Sequence, residues 1–245
     1  MTNGDYTSFW VKERWGLDYT LRLYPPVDMY HGANNVDKKL KIILSVARFE
    51  PGGSKKQLDM VRAFRELCQI DQNVKNEWRF IMAGGSADDN PYFNRVKREI
   101  EARKESNIEL MPNLTNTEIL RLYGTASIFW HACGLNEKNP HLVEHFGMTT
   151  VEAMQNYCVP IVINGGGQKE IVEHEISGFR FNTLDELISL TLRVINNDEL
   201  RKNIAQRAYE RSHRFDFEEF KKTVNPFFLN IENRLRGAEP LEYKD

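Results

Sequence analysis

Short apolar runs punctuate the chain, and a stretch of helical periodicity separates most of them from the next. The runs are 41–47 (KIILSVA), 78–84 (WRFIMAG), 107–111 (NIELM), 126–132 (ASIFWHA), 158–164 (CVPIVIN) and 178–181 (GFRF). The longer ones are apolar without alternation, the pattern of parallel strands covered on both faces. Between them Leu58, Val61, Phe64, Leu67 and Cys68 recur at helical spacing, as do Tyr92, Val96 and Ile100. Thr115 and Glu118 make a capping-box sequence that opens a short helix through Tyr123. Thr183 and Glu186 open another, with Leu187, Ile188 and Val194 turned inward. Asp216 caps a last helix carrying Phe217, Phe220, Val224, Phe228, Ile231 and Leu235, which Pro226 is expected to kink or split. This alternation predicts an α/β fold, a Rossmann-like doubly wound parallel sheet. Ligands of such sheets bind at the C-terminal strand ends, beside helix N-termini.

The first 38 residues follow the scheme less well. Phe9, Trp10, Trp15 and Tyr19 form a dense aromatic group, 21–24 (LRLY) reads as a strand stopped by Pro25 and Pro26, and 30–39 is polar and linker-like. This stretch is expected to be a separate piece joined by a linker to the main domain. Composition changes the picture only by exclusion. A chain of 245 residues makes one large domain or two small ones. A net charge of −2 argues against nucleic-acid binding driven by bulk charge. Cys68, Cys133 and Cys158 are scattered and odd in number, which suits a reducing compartment better than a disulfide framework or zinc site. The opening MTNGDYTSFW lacks the basic and apolar regions of a signal peptide, so a cytoplasmic location is expected.

Candidate chemistry concentrates in two segments. In 140–162 (PHLVEHFGMTTVEAMQNYCVPIV) Glu144 sits in a loop with Phe146 and Gly147. Glu152 sits on a helix expected to begin near 147–149, with Met148, Val151 and Met154 facing the core. The amides at that helix start suit a pyrophosphate. By spacing alone the two glutamates are as well read as solvated acids. In 45–64 (SVARFEPGGSKKQLDMVRAF) Arg48 follows the first strand, and Lys55 and Lys56 stand at a helix start. Cations so placed suit a phosphodiester, although a lone Lys-Lys pair is more often solvated. Neither a P-loop nor a Gly-x-Gly-x-x-Gly fingerprint follows the first strand. Gly84–Gly85 and 165–167 (GGG) either let backbone approach a ligand or make tight turns. His131 ends the fourth strand at the ligand edge, where it either contacts a sugar or is a satisfied structural histidine.

Taken together, the motifs ARFEPGGSKKQ, FIMAGG, NIELMPNLTNTEILRLYGTASIF, EHFGMTTVEAMQNYCVPIV and NGGGQKEIVEHEISGF resemble those of the group 1, family four, retaining glycosyltransferases. The resemblance covers about 41–228. It implies a GT-B enzyme of two Rossmann-like domains, of which this chain is the C-terminal half. Residues 40–245 would be the nucleotide-sugar donor-binding domain with its C-terminal helices. Residues 1–39 would be the tail of the N-terminal acceptor domain plus linker. By resemblance Glu144, Arg48 and Lys55 are catalytic. Glu152 accepts from ribose hydroxyls, and amides of Phe146, Gly147, Met148 and Thr149 hold sugar and pyrophosphate. Met111, Pro112 and Leu114 flank the base, and Gly166 is assigned to substrate binding. Lys55 and Lys56 both remain candidates for the phosphate contact.

The implied reaction is transfer of a hexose from a nucleotide diphosphate sugar to a glycan, lipid or small-molecule acceptor. It needs no cofactor and no metal, because two protein cations offset the leaving diphosphate. Expected partners are the donor, the missing acceptor domain or a partner chain, and a membrane surface reached through the acceptor, but no nucleic acid. The alternative is a non-catalytic nucleotide-sugar-binding domain acting with a partner. A two-carboxylate hydrolase is a weaker rival, since the cations have no use on a neutral glycan, and a sugar-nucleotide epimerase of related fold is a third reading.

Overall fold

The computed structural model describes residues 1–17, 21–28, 36–103 and 107–237. The elements in chain order are α1 (Asp5–Trp15), β1 (Leu40–Val46), α2 (Gln57–Ile70), α3 (Gln72–Glu77), β2 (Arg79–Gly84), α4 (Pro91–Glu101), β3 (Ile108–Pro112), α5 (Asn116–Thr125), β4 (Ala126–His131), α6 (Met148–Gln155), β5 (Val159–Ile163), α7 (Gln168–Ile171), β6 (Phe179–Phe181), α8 (Leu184–Ile195), α9 (Asp198–Ser212) and α10 (Phe217–Leu235). All six expected strands form, and they pair in parallel in the order β3-β2-β1-β4-β5-β6. The order reverses between β1 and β4, so the crevice for a ligand opens at their C-terminal ends.

Successive strand side chains feed opposite faces. Ile43, Phe80, Met82, Ile128 and Trp130 pack with α2, α4 and α8, burying Phe64, Leu67, Val96, Leu187 and Val194. Ile42, Leu44, Ile81, Ala83 and Phe129 pack on the other face with Tyr123 of α5 and Ala153 of α6. Both sheet faces are therefore dry, which explains why the strands read as unbroken apolar runs. Thr115 caps α5 through a complete capping box with Glu118. Thr183 caps α8 by accepting from the Glu186 amide, and Asp216 caps α10 by accepting from the Glu219 amide.

Several expectations are corrected. Residues 21–24 do not form a strand; a single parallel bridge joins Arg22 to Thr2. Pro25 and Pro26 lack the amides a ladder needs. Pro226 does not split the last helix, which is continuous over Phe217–Leu235. Met148 is not inward but half exposed, because it is the first residue of α6, on the side open to solvent. Val151 and Met154 are buried as expected.

The described part of 1–39 packs on the main body. Val27 is buried with Phe146, Val151, Ile171 and Phe215, and Tyr24 stacks on Phe146 with ring centroids 5.7 Å apart. The helix α1, which no apolar stripe announces, buries no residue completely. Tyr19 and most of the expected linker lie outside the described residues. On α10 the side chains of Phe217, Phe228, Leu229, Ile231 and Leu235 are exposed.

Candidate active site

The crevice at the reversal point holds a cavity of about 350 Å³ lined by Arg48, Lys55, His131, Glu144 and residues 145–149, with Asn3 and Pro25 at its edge. Arg48 arrives by chain order, two residues past β1, and its guanidinium lies at the surface 3.2 Å from Glu50. Lys55 arrives on the turn before α2 and donates to Glu144 Oε2 at 2.8 Å. Lys56 adopts a left-handed backbone, φ 61°, that sends it elsewhere, and it pairs with Glu137. The geometry therefore brings Lys55 to the site and engages Lys56 outside it. Glu137, in the polar loop before Glu144, has no place in the cavity lining.

Glu144 is the centre of the cluster. Its Oε2 also lies 3.3 Å from Nε2 of His131, which is buried at the end of β4. Burial alone would push the Glu144 carboxyl up, but His131 and Lys55 outweigh it and hold the group well below the usual carboxylate range. Burial would likewise lower Lys55, and the Glu144 charge beside it raises it instead. Cys133 lies near the same pair, and burial pushes its thiol up to about 11.

The Glu144 loop is shaped by glycines. Gly147, φ 120°, is the N-cap of α6 and supplies no side chain to the free amides there. A Cβ at Gly147 would run into the Gln168 amide. A Cβ on Gly166, φ 56°, would strike the Glu144 carbonyl oxygen, and one on Gly167 would strike that of His145. The Gly167 amide donates to the Glu144 carbonyl at 2.9 Å. The glycine cluster thus closes on the acid loop and supports it from beneath, and Gly166 does not line the cavity. Gly84 is fixed similarly by the Ala47 carbonyl.

Glu152 lies one layer away. It accepts from the hydroxyl of Tyr123 at 2.9 Å, and burial raises its carboxyl despite that bond. Tyr123 packs in the same cluster as Met111 of β3 and Leu114 just past it. Tyr123 thus links Glu152 to the cluster that holds Met111 and Leu114, and Pro112 is exposed at the end of β3. Sequence reasoning missed the Tyr123 bond, because only the packing of α5 against α6 brings the two together. The capping box that fixes α5 was the one available clue. Among the described residues, no group of three or more His, Cys, Asp or Glu side chains could hold a metal ion.

Residues 27–211 match a family described as glycosyl transferases group 1. The chain is 26% identical over 253 residues to the GDP-Man:Man(3)GlcNAc(2)-PP-Dol alpha-1,2-mannosyltransferase of Dictyostelium discoideum, covering 96% of this chain and 47% of that protein. It is 29% identical over 147 residues to the alpha-1,3/1,6-mannosyltransferase ALG2 of Mus musculus, covering 56% of this chain and 32% of that protein. The chain thus spans about half the length, or less, of these curated relatives. Among solved structures, Anabaena HepE in complex with UDP-glucose superposes with a TM-score of 0.74 at 19% identity, over 93% of this chain and 62% of that one. TarM gives 0.72 at 16% identity, over 93% and 42%. At such identities the likeness is one of fold.

Proposed function

The chain belongs to the group 1 glycosyltransferases, and from that membership we propose that it binds a nucleoside diphosphate hexose at the ends of β1 and β4. In the whole protein it hands the hexose to an acceptor with retained anomeric configuration. One observation carries the reading: Arg48, Lys55 and the uncapped start of α6 border a single cavity whose partly buried acid, Glu144, is already ionised. Cations and helix amides converging on one space are what a diphosphate requires. The Dictyostelium relative is named for GDP-mannose, and a mannosyl donor with guanine as its base is the one we propose.

The roles in this reading are those the family resemblance implies. Glu152 takes the ribose hydroxyls, with Tyr123 fixing its carboxylate. Met111, Pro112 and Leu114 flank the base. Amides of Phe146, Gly147, Met148 and Thr149 hold the pyrophosphate and sugar. Glu144 faces the sugar. As the bond from C1 to the diphosphate oxygen breaks, the acceptor hydroxyl forms its bond to C1 on the same face, and its proton passes to the leaving phosphate oxygen. Arg48 and Lys55 stabilise the charge that develops on the diphosphate, and no metal is assigned to that step. The acceptor, a lipid-linked glycan in this reading, is held by the remainder of the whole protein, at a membrane surface facing the cytoplasm.

The test is thermal denaturation with GDP, UDP and ADP and their hexose forms. A ligand at 100 times its Kd stabilises by about 2.7 kcal/mol. For a domain of this size that is a shift of roughly 5–10 °C. GDP and GDP-mannose should shift the midpoint, and Glu152→Ala should reduce the shift. No shift with any nucleotide at millimolar concentration refutes the proposal. A second reading is a nucleotide-sugar-binding domain without its own activity. Binding of GDP-mannose without transfer, restored by a complementary chain, would select it.

A further inference from the structure

Gln168, at the start of α7, is fully buried, and neither its Nε2 nor its Oε1 has a hydrogen-bond partner. Among the described residues no other buried side chain leaves two polar atoms unpaired. We propose that Gln168 is a positioning residue for the loop that receives the diphosphate, its Nε2 pairing with the Phe146 carbonyl when that loop binds its ligand. The proposal rests on the donor reading above.

Position comes first. Gly147 caps α6 and lines the donor cavity, whereas Gln168 does not. A Cβ on Gly147 would strike Gln168 Nε2, and one on Gly167 would come within 2.6 Å of the Phe146 Cα. Residues 167 and 168 therefore lie against the Phe146–Gly147 peptide on the side away from the cavity. The Gly167 amide holds the Glu144 carbonyl at 2.9 Å, which fixes the spacing of the two segments.

Peptide geometry supplies the partner. The Phe146–Gly147 peptide is trans, and in a trans peptide the N–H and the C=O point in opposite directions. A Gly147 amide turned into the cavity to meet a phosphate oxygen therefore turns the Phe146 carbonyl back into the protein, onto Gln168. That carbonyl accepts no hydrogen bond among the described residues, and Nε2 is a donor without an acceptor. One rotation of the peptide pairs both. Glycine at 147, φ 120°, gives the backbone the freedom to make it.

The energetics point the same way. A buried amide without a partner destabilises the fold, and an apolar side chain of the same shape in its place does not. Methionine at 168 would therefore serve the free protein better than glutamine. The glutamine is useful only in a state in which its donor is paired, and a ligand that takes the Gly147 amide supplies the energy to reach that state. Thr150, on the first turn of α6, carries a second buried polar atom without a partner. Unmet hydrogen bonding thus collects where α6 begins, at the segment that the diphosphate would engage.

The test compares the wild type with Gln168→Met, which keeps the length of the side chain and removes the amide. Thermal denaturation of the two free proteins and calorimetric titration of each with GDP are measured side by side. The expected result is a pair of opposite signs. The free variant melts about 2–4 °C higher, while it binds GDP about fivefold more weakly, the size of one hydrogen bond. A side chain that merely fills the core would lower the midpoint when replaced. A second measurement does not depend on the variant's folding: GDP added to the wild type should move the Gln168 side-chain amide protons downfield in NMR spectra and slow their exchange with water. A free variant with an unchanged or lower midpoint overturns the proposal, because the amide then has its partner already. Unchanged GDP affinity overturns it, and so does an amide signal that GDP leaves in place; all three leave the donor reading standing. A wild-type protein that gives no heat with GDP strikes the donor reading, and the proposal with it.

Discussion

Replacing Lys55 by methionine tests the central electrostatic claim. The side chains of Lys55 and Glu144 are 18% and 21% exposed, so their 2.8 Å contact is largely withdrawn from water. Removing one partner of a fully buried pair costs about 3–5 kcal/mol, because the other charge is left without compensation. Two features reduce that here. A fifth of each side chain still meets solvent, and His131 remains 3.3 Å from the carboxylate. A loss of about 2 kcal/mol is expected, which for a domain of this size is roughly 4–8 °C in Tm.

The pH dependence carries the sharper signature. Glu144 is depressed in the folded protein by His131 and Lys55, against burial. The stability it contributes is fully present above the ordinary carboxylate pKa of ~4.3 and is lost as pH falls below it. In Lys55→Met one of the two groups that lower the carboxyl is gone while His131 remains, so the carboxyl moves up and this acid loss shrinks. Urea unfolding of the two proteins should therefore differ most near neutral pH, and the difference should shrink only as pH falls below the ordinary carboxylate range towards the depressed folded-state value. The double variant Lys55→Met/Glu144→Gln should recover part of the loss at neutral pH. A difference below about 0.5 kcal/mol at neutral pH would refute the claim that this pair is coupled.

Other consequences can be measured on the same material. Glu144→Gln frees Lys55 and removes a negative charge beside the phosphate space, so GDP should bind about fivefold more tightly by calorimetry while transfer falls. Glu152, raised by burial despite its bond from Tyr123, should make GDP affinity fall on acidification at a pH above the usual carboxylate range, and Glu152→Gln should flatten that profile. Tyr123→Phe leaves Glu152 without its 2.9 Å donor and should cost about 1–3 kcal/mol in unfolding experiments. Gly166→Ala forces a Cβ against the Glu144 carbonyl; weaker GDP binding together with a lower Tm is expected. Thr115→Ala, which removes the α5 cap, should cost about 1 kcal/mol and leave GDP binding unchanged.

The local rules were sufficient wherever a residue's fate depended on its near neighbours. Six apolar runs specified six strands, since a strand covered on both faces must be apolar at every position. Thr115, Thr183 and Asp216 specified helix starts, since a cap satisfies amides two or three residues away. The order of elements was enough to place Arg48, Lys55 and Glu144 at one sheet edge. By contrast α1 and α9 gave no usable signal. The first is held by the Glu170 carboxylate and aromatic contacts, and the second packs its small residues Ala205 and Ala208 into the body.

What the sequence determined by itself is the architecture, the glutamate-bearing loop and helix, and the cations. Each depends on hydrophobic period, capping chemistry or chain order, which are properties of short stretches. The tertiary structure alone decided which lysine reaches Glu144, that His131 shares that carboxylate, that Tyr123 fixes Glu152, and that the glycines of 165–167 support the acid loop. Those outcomes depend on the backbone angle at Lys56 and on contacts between segments far apart in the chain, from Lys55 to Glu144 and from Gly166 to the same loop. No local pattern encodes such distances; they exist only once the sheet has brought β1, β4 and β5 side by side.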